Sequence, residues 1–161
     1  CLYIPMNLLL EGDCRMKKKF KLFKTISMLG FFISACAVLL TPWASFEPEL
    51  GSRKLAYISA MLFWLGIVIG VTFEVLSSKI RKEIFPNENG KPGLISFFKN
   101  AESVITDCTF VAGVLLATLP NNNTLKTVGL FLGVLSLYYH CIFNGKNYRC
   151  FKKAVKQKEE F

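Results

Sequence analysis

Histidine is almost absent from this chain of 161 residues: His140 is the only one, and the six cysteines, at positions 1, 14, 36, 108, 141 and 150, never form Cys-x-x-Cys. The usual structural zinc sites need such pairs, so neither a metal nor a cofactor is expected. The common catalytic signatures are missing as well. There is no Gly-x-Ser-x-Gly, no His-Glu-x-x-His and no glycine loop for phosphate. One histidine without a paired cysteine or serine is a poor basis for catalysis, and the sequence reads as that of a non-enzyme.

Acidic residues are scarce, 11 against 20 lysines and arginines, which leaves a net charge of +9. Nucleic acid is excluded as the partner, because the basic residues lie between and outside the apolar blocks and not on one amphipathic face. Extended hydrophilic stretches are also lacking, so no extramembrane domain is expected.

What is present is apolar sequence in long blocks: 52% of residues are hydrophobic, 14% are aromatic and the mean hydropathy is +0.39. Blocks such as residues 26–44 and 55–75 match the length a helix needs to cross a hydrocarbon core of about 30 Å. The sequence thus predicts an all-α, polytopic membrane protein, a bundle of four transmembrane helices forming a single membrane domain. The spans are expected over about residues 25–44, 55–76, 98–119 and 124–143. Pro42-Trp43 closes the first and Asn144-Gly145 the last, while residues 86–93 form a turn rich in Pro, Asn and Gly. The third span is the most polar and must reach back through Asn100 to cross.

Residues 1–15 differ from the remainder. Met16 opens Met-Lys-Lys-Lys-Phe-Lys, a bacterial type of start, and Leu9-Leu10-Glu11-Gly12 can be encoded by codons containing the ribosome-binding GGAGG. Residues 1–15 are therefore expected to be mistranslated upstream sequence or a disordered tail.

The basic residues set the expected orientation. Six lie in the N-terminal tail, five in the middle connection through Lys99 and six in the C-terminal tail, against two and one in the opposite connections. The positive-inside rule then places both termini in the cytoplasm of a cell membrane. The expected partner is the bilayer with its anionic inner leaflet, which attracts each basic residue by about 1 kcal/mol.

Four polar residues fall within or beside the spans. Asp107 lies about 18 Å from the outer boundary by helical rise, and so about 12 Å inside the other face of a 30 Å core. A charged Asp at mid-span costs about 2.5–3.5 kcal/mol, so it should face the bundle interior, and His140 is the nearest candidate partner by depth. With Glu74 and Glu102 these residues are expected to form one polar cluster. The cluster either lines a cavity for a cation, a proton or a headgroup, or it holds helices together while the two glutamates balance Lys79 and Lys99. Gly66-x-x-x-Gly70 and Gly129-x-x-x-Gly133 are read as close-packing positions. Ile33-Ser34-Ala35-Cys36 resembles the lipobox of bacterial lipoproteins, which makes Cys36 a candidate for lipidation. The apolar run continues through Leu40, however, as a span would.

The expected function is that of a non-enzymatic accessory, regulatory or immunity-type component acting through helix–helix contacts, with itself or with another membrane protein. The alternative is a small oligomeric transporter or channel that uses Asp107.

Overall fold

The structure is a computed structural model and describes residues 6–40, 50–86, 101–118 and 121–156. The expected turn over residues 87–93, connection residues 45–49 and the span ends at 41–44, 98–100 and 119 lie outside the described residues. Five α-helices are present: α1 (Met6–Ala37), α2 (Leu50–Ile84), α3 (Ala101–Thr118), α4 (Asn123–Phe143) and α5 (Lys146–Lys156). A short 3₁₀ turn, Val38–Leu40, follows α1, and no strand occurs among the described residues. Four of the helices are long and apolar enough to cross a membrane, over Cys14–Leu40, Arg53–Ile84, Ala101–Thr118 and Asn123–Phe143.

Helix limits follow local chemistry. Asn122 caps α4: its side chain accepts from the backbone N–H groups of Thr124 at 2.9 Å and Leu125 at 3.3 Å. At the other end Asn144 and Gly145 close the last turn through Asn144 N to His140 O and Gly145 N to Ile142 O. Arg81 and Lys82 occupy the last turn of α2, where cations complement the helix dipole. Both α1 and α2 overrun the expected spans. α1 begins at Met6, ahead of Met16, and α2 continues eight residues past Leu76.

The bundle is assembled from two antiparallel hairpins. α1 packs along α2, α3 packs along α4, and the hairpins meet where α1 touches α4, so the helix order is α2, α1, α4, α3. Small residues set the close approach inside each hairpin. A Cβ on Gly66 would stand 2.6 Å from both Gly30 O and Ser34 N, and one on Gly113 would stand 2.7 Å from Gly133 N. Gly66-x-x-x-Gly70 therefore faces Gly30-x-x-x-Ser34 on α1, and Gly129-x-x-x-Gly133 faces Gly113-x-x-x-Ala117 on α3. Between hairpins, Ser34 Oγ lies 3.2 Å from Tyr138 Oη, and the rings of Phe31 and Tyr138 are 5.2 Å apart.

The C-terminal basic tail, expected as a simple extension, is instead helix α5, which packs on α1, α2 and α4. Its buried residues Asn147, Cys150 and Ala154 recur at helical spacing, while Arg149, Lys152 and Lys153 point outward. This amphipathic arrangement lays α5 across one end of the helices.

Candidate functional site

The polar groups gather at the end that α5 covers. Each hairpin contributes one, and α5 contributes the rest.

In the first hairpin, Lys24 of α1 is 0% exposed and donates from Nζ to both carboxylate oxygens of Glu74 on α2, at 2.8 Å and 2.6 Å. The Glu74 side chain is 30% exposed. Ser27 Oγ lies 2.9 Å from Gly70 O and 3.0 Å from Glu74 Oε2, two acceptors for one hydroxyl proton. Asn147 of α5 donates from Nδ2 to Glu74 Oε1 at 2.9 Å and lies 3.3 Å from Ser77 Oγ. Three helices thus converge on one carboxylate. The arrangement follows from the small-residue register: once Gly30 sits against Gly66 and Gly70, Lys24 comes level with Glu74.

In the second hairpin, His140 Nδ1 of α4 lies 2.7 Å from Asp107 Oδ1 of α3, with side-chain exposures of 7% and 4%. The ring nitrogen that faces a carboxylate carries a proton, so Asp107 selects the tautomer of His140. The Asn144 amide lies 3.4 Å from the ring nitrogens and donates to His140 O at 3.1 Å. Ser103, Thr106 and Ser136 are buried in the same hairpin, and the Thr106 and Ser136 hydroxyls donate to carbonyls of their own helices.

Glu102, near the start of α3, pairs with Lys152 of α5. This pair is partly open to solvent. The hydrogen bond from Lys152 to the Glu102 carboxylate raises the lysine above its ordinary value, against a smaller opposing effect of desolvation. The Lys152 ammonium also lies 5.9 Å from the centre of the Tyr148 ring, whose phenol is pushed up by burial and by the Glu102 charge. Because the folded value is raised, the pair's contribution, while Glu102 is ionised, is complete below the ordinary lysine value of about 10.4 and fades as pH rises through the folded one. Its size is about 1 kcal/mol or less, as for exposed pairs generally. Glu102→Gln should return Lys152 toward its ordinary titration, read from ¹⁵N NMR of the ammonium. An unmoved titration would remove Glu102 as the cause.

The four residues expected in one cluster are therefore distributed over three pairs. Asp107 and His140 come together, whereas Glu74 turns to Lys24 and Glu102 to Lys152, each glutamate meeting a lysine of a neighbouring helix. Gly66 and Gly129 lie where a side chain would strike backbone. The atoms nearest a Cβ on Gly70 belong to the Phe31 ring, at 2.9 Å, and one on Gly133 meets nothing within 4 Å. Cys36 is half-buried inside α1, which continues to Ala37 and into the 3₁₀ turn.

Sequence reasoning missed Lys24, Asn147 and Lys152, having counted both lysines only as topogenic charges. For Lys24 the signal is the polar and small spacing Lys24, Ser27, Gly30, Ser34, which marks one face of α1. For Asn147 it is the same spacing through Cys150 and Ala154.

Two clefts border the paired groups. One of about 140 Å³ is lined by Phe31, Glu74, Tyr138, Cys141 and Ile142. A second of about 250 Å³, almost wholly apolar, is lined by Phe32, Ile105, Thr109, Leu135, Tyr139 and Phe143, among others. Among the described residues no group of three or more His, Cys, Asp or Glu could hold a metal ion. No family model, curated protein or solved structure matches the chain.

Proposed function

We propose that this chain is a multi-pass protein of a bacterial cell membrane, with both termini in the cytoplasm, acting without catalysis as an accessory, regulatory or immunity-type component through helix–helix contacts. The observation that carries the reading is an inverted distribution of polarity. Lys24, Ser27, Ser34, Ser59, Asp107 and His140 are buried, whereas Tyr57, Met61, Trp64, Leu65, Val68 and Ile105 are more than half exposed. A fold in water would reverse this, because apolar burial supplies most of its stability. In lipid the tails solvate the apolar faces, and helices associate through small residues and hydrogen bonds, as these do.

The orientation rests on charge. The end covered by α5 carries Lys17, Lys18, Lys19 and Lys21 of α1, Lys79 and Lys82 of α2, and Lys146 and Arg149 of α5, which favour an anionic inner leaflet. Reporter fusions at the C-terminus and within residues 86–92 should land on the same, cytoplasmic face. Opposite faces would overturn the topology.

The preference for contact over transport rests on the ion pairs. Glu74, Glu102 and Asp107 each meet a basic side chain of the protein itself, and the outer surface offers helix faces to a second copy or to another membrane protein. On α2 this face runs through Tyr57, Met61, Trp64, Val68 and Val71 at three- and four-residue spacing. One observation favours the transporter reading: Asp107 and His140 are buried, titratable and within proton-sharing distance. Proteoliposomes loaded with a pH-sensitive dye separate the two. The contact reading expects equal proton leak for wild type and Asp107→Asn. A flux that depends on Asp107 would replace it with the transporter.

A further inference from the structure

Arg81 differs from the other buried charges. It lies on the face of α2 that carries Glu74 and Ser77, one turn beyond Ser77, and is 8% exposed. Its Nε is buried and has no hydrogen-bond partner among the described residues. Lys24 has Glu74 and Asp107 has His140, but among the described residues no carboxylate pairs with Arg81. A guanidinium does not shed its proton, so burial cannot be relieved by neutralisation, and an unpaired buried charge is strongly destabilising.

Basic residues outnumber Glu83 at this end of the molecule. The antiparallel register that sets Lys24 against Glu74 and Ser27 against Gly70 brings Lys17 of α1 level with Arg81. Asn147, which reaches Ser77, starts α5 about one turn from Arg81, directly after Lys146. Phe20 and Phe85 meet edge to face at 6.4 Å between α1 and the end of α2. A buried guanidinium whose Nε has no hydrogen-bond partner among the described residues, at an end rich in lysine, suits an anion.

We propose that Arg81 anchors an anion site at the α1–α2–α5 end and that its ligand is a phosphate group, either the headgroup phosphate of an anionic phospholipid or free phosphate. The planar guanidinium fork matches two phosphate oxygens, and the helix register sets Lys17 of α1 level with it. Arg81 stands five residues past Leu76, the expected end of the apolar run, or about 7–8 Å by helical rise. That is headgroup depth if the chain spans a bilayer. The membrane reading enters only here, in favouring the lipid as the source of the phosphate.

The test uses the purified full chain in neutral detergent, titrated separately with phosphatidylglycerol, phosphatidylcholine and inorganic phosphate, with affinity read by native mass spectrometry and thermal shift. Wild type should retain phosphatidylglycerol over phosphatidylcholine. Arg81→Met should weaken that retention about tenfold or more, the scale of one charge-assisted hydrogen bond, whereas Lys82→Met, which removes an exposed neighbouring charge, should leave it intact. Arg81→Lys, which keeps the charge without the fork, should fall between. Inorganic phosphate producing the same Arg81-dependent shift would assign the site to free phosphate, and a response to the lipid alone would assign it to the headgroup. Three outcomes overturn the proposal: unchanged lipid affinity in Arg81→Met, an equal loss in Lys82→Met, or destabilisation of the delipidated protein by Arg81→Met, since a carboxylate of the chain would then already hold Arg81. None of these readouts requires bilayer insertion, so failure here is distinct from failure of the topology fusions.

Discussion

Glu74→Gln is expected to destabilise the protein by about 3–5 kcal/mol, the usual cost of removing one partner from a buried ion pair. The large value follows from Lys24, which is 0% exposed and donates to both oxygens of Glu74. Glutamine keeps the length of the side chain but removes the charge, and its amide would turn an N–H toward either Lys24 or Asn147. The converse change, Lys24→Met, should cost less, because Glu74 is 30% exposed and retains Ser27 and Asn147 as donors. Lys24→Met combined with Glu74→Leu should recover much of the loss, since an apolar pair of similar volume often replaces a buried ion pair without penalty. Unfolding in mixed micelles with increasing sodium dodecyl sulfate, followed by circular dichroism, gives all three values and the coupling energy. If Glu74→Gln unfolds with wild type, Lys24 does not depend on Glu74 and the pair is incidental.

That asymmetry also describes how the two ends of the molecule differ. Toward the connections at 41–49 and 119–122, hydroxyls such as Ser59 to Ala37 O and Thr118 to Val114 O bond to backbone. Toward α5, side chains bond to side chains across helices and carry charge. Interactions of the second kind are specific, because a charged partner left unmatched costs more than a hydroxyl left unmatched. The end covered by α5 is therefore where the register within each hairpin is best defined, and α5 links the two hairpins there through Asn147 to Glu74 and Lys152 to Glu102.

Much of the architecture was legible because apolar blocks long enough to cross a hydrocarbon core are also long enough to form whole helices, and four such helices are present. Residues 26–37 of the first apolar block lie in α1 and the block at 55–75 lies in α2, and the Asn144-Gly145 signal coincides with the end of α4. The overruns of α1 and α2 escaped notice because nothing in hydropathy stops a helix that has left the apolar layer. Helix α5 was missed although its sequence is strongly amphipathic, because five basic residues make it hydrophilic on average and the reading sought apolar runs long enough to span. Pairing of the polar residues was legible where depth alone decided it, as for Asp107 and His140. It failed for Glu74 and Glu102, whose partners lie on helices with no fixed depth relation to them until the register is known. The glycine pairs were visible in sequence, but their faces were not, since adjacent members of Gly-x-x-x-Gly differ in direction by about 40° at 100° per residue.

That difference in direction supports the second large effect. Gly66→Ala and Gly129→Ala are each expected to destabilise the protein by about 1–3 kcal/mol, the range for overpacking a tight contact, while Gly133→Ala should be nearly silent. A methyl on Gly66 would stand 2.6 Å from Gly30 O and from Ser34 N, and one on Gly129 would meet Ala117 N and stand 2.6 Å from Gly113 O. These are backbone atoms, so relief requires the helices to separate. Separation of α1 from α2 would also lengthen Lys24 to Glu74, and separation of α3 from α4 would lengthen His140 to Asp107, adding electrostatic loss to the steric one. Gly70→Ala is intermediate, because the obstacle is the Phe31 ring at 2.9 Å and a ring can turn. In helices, alanine also gains about 0.8–1.0 kcal/mol over glycine from intrinsic propensity, so Gly133→Ala can emerge slightly stabilising. The same micellar unfolding measurement ranks the four variants. A ranking in which Gly133→Ala matches Gly129→Ala would mean that α3 and α4 pack through a different face, and the Asp107–His140 geometry would fall with it.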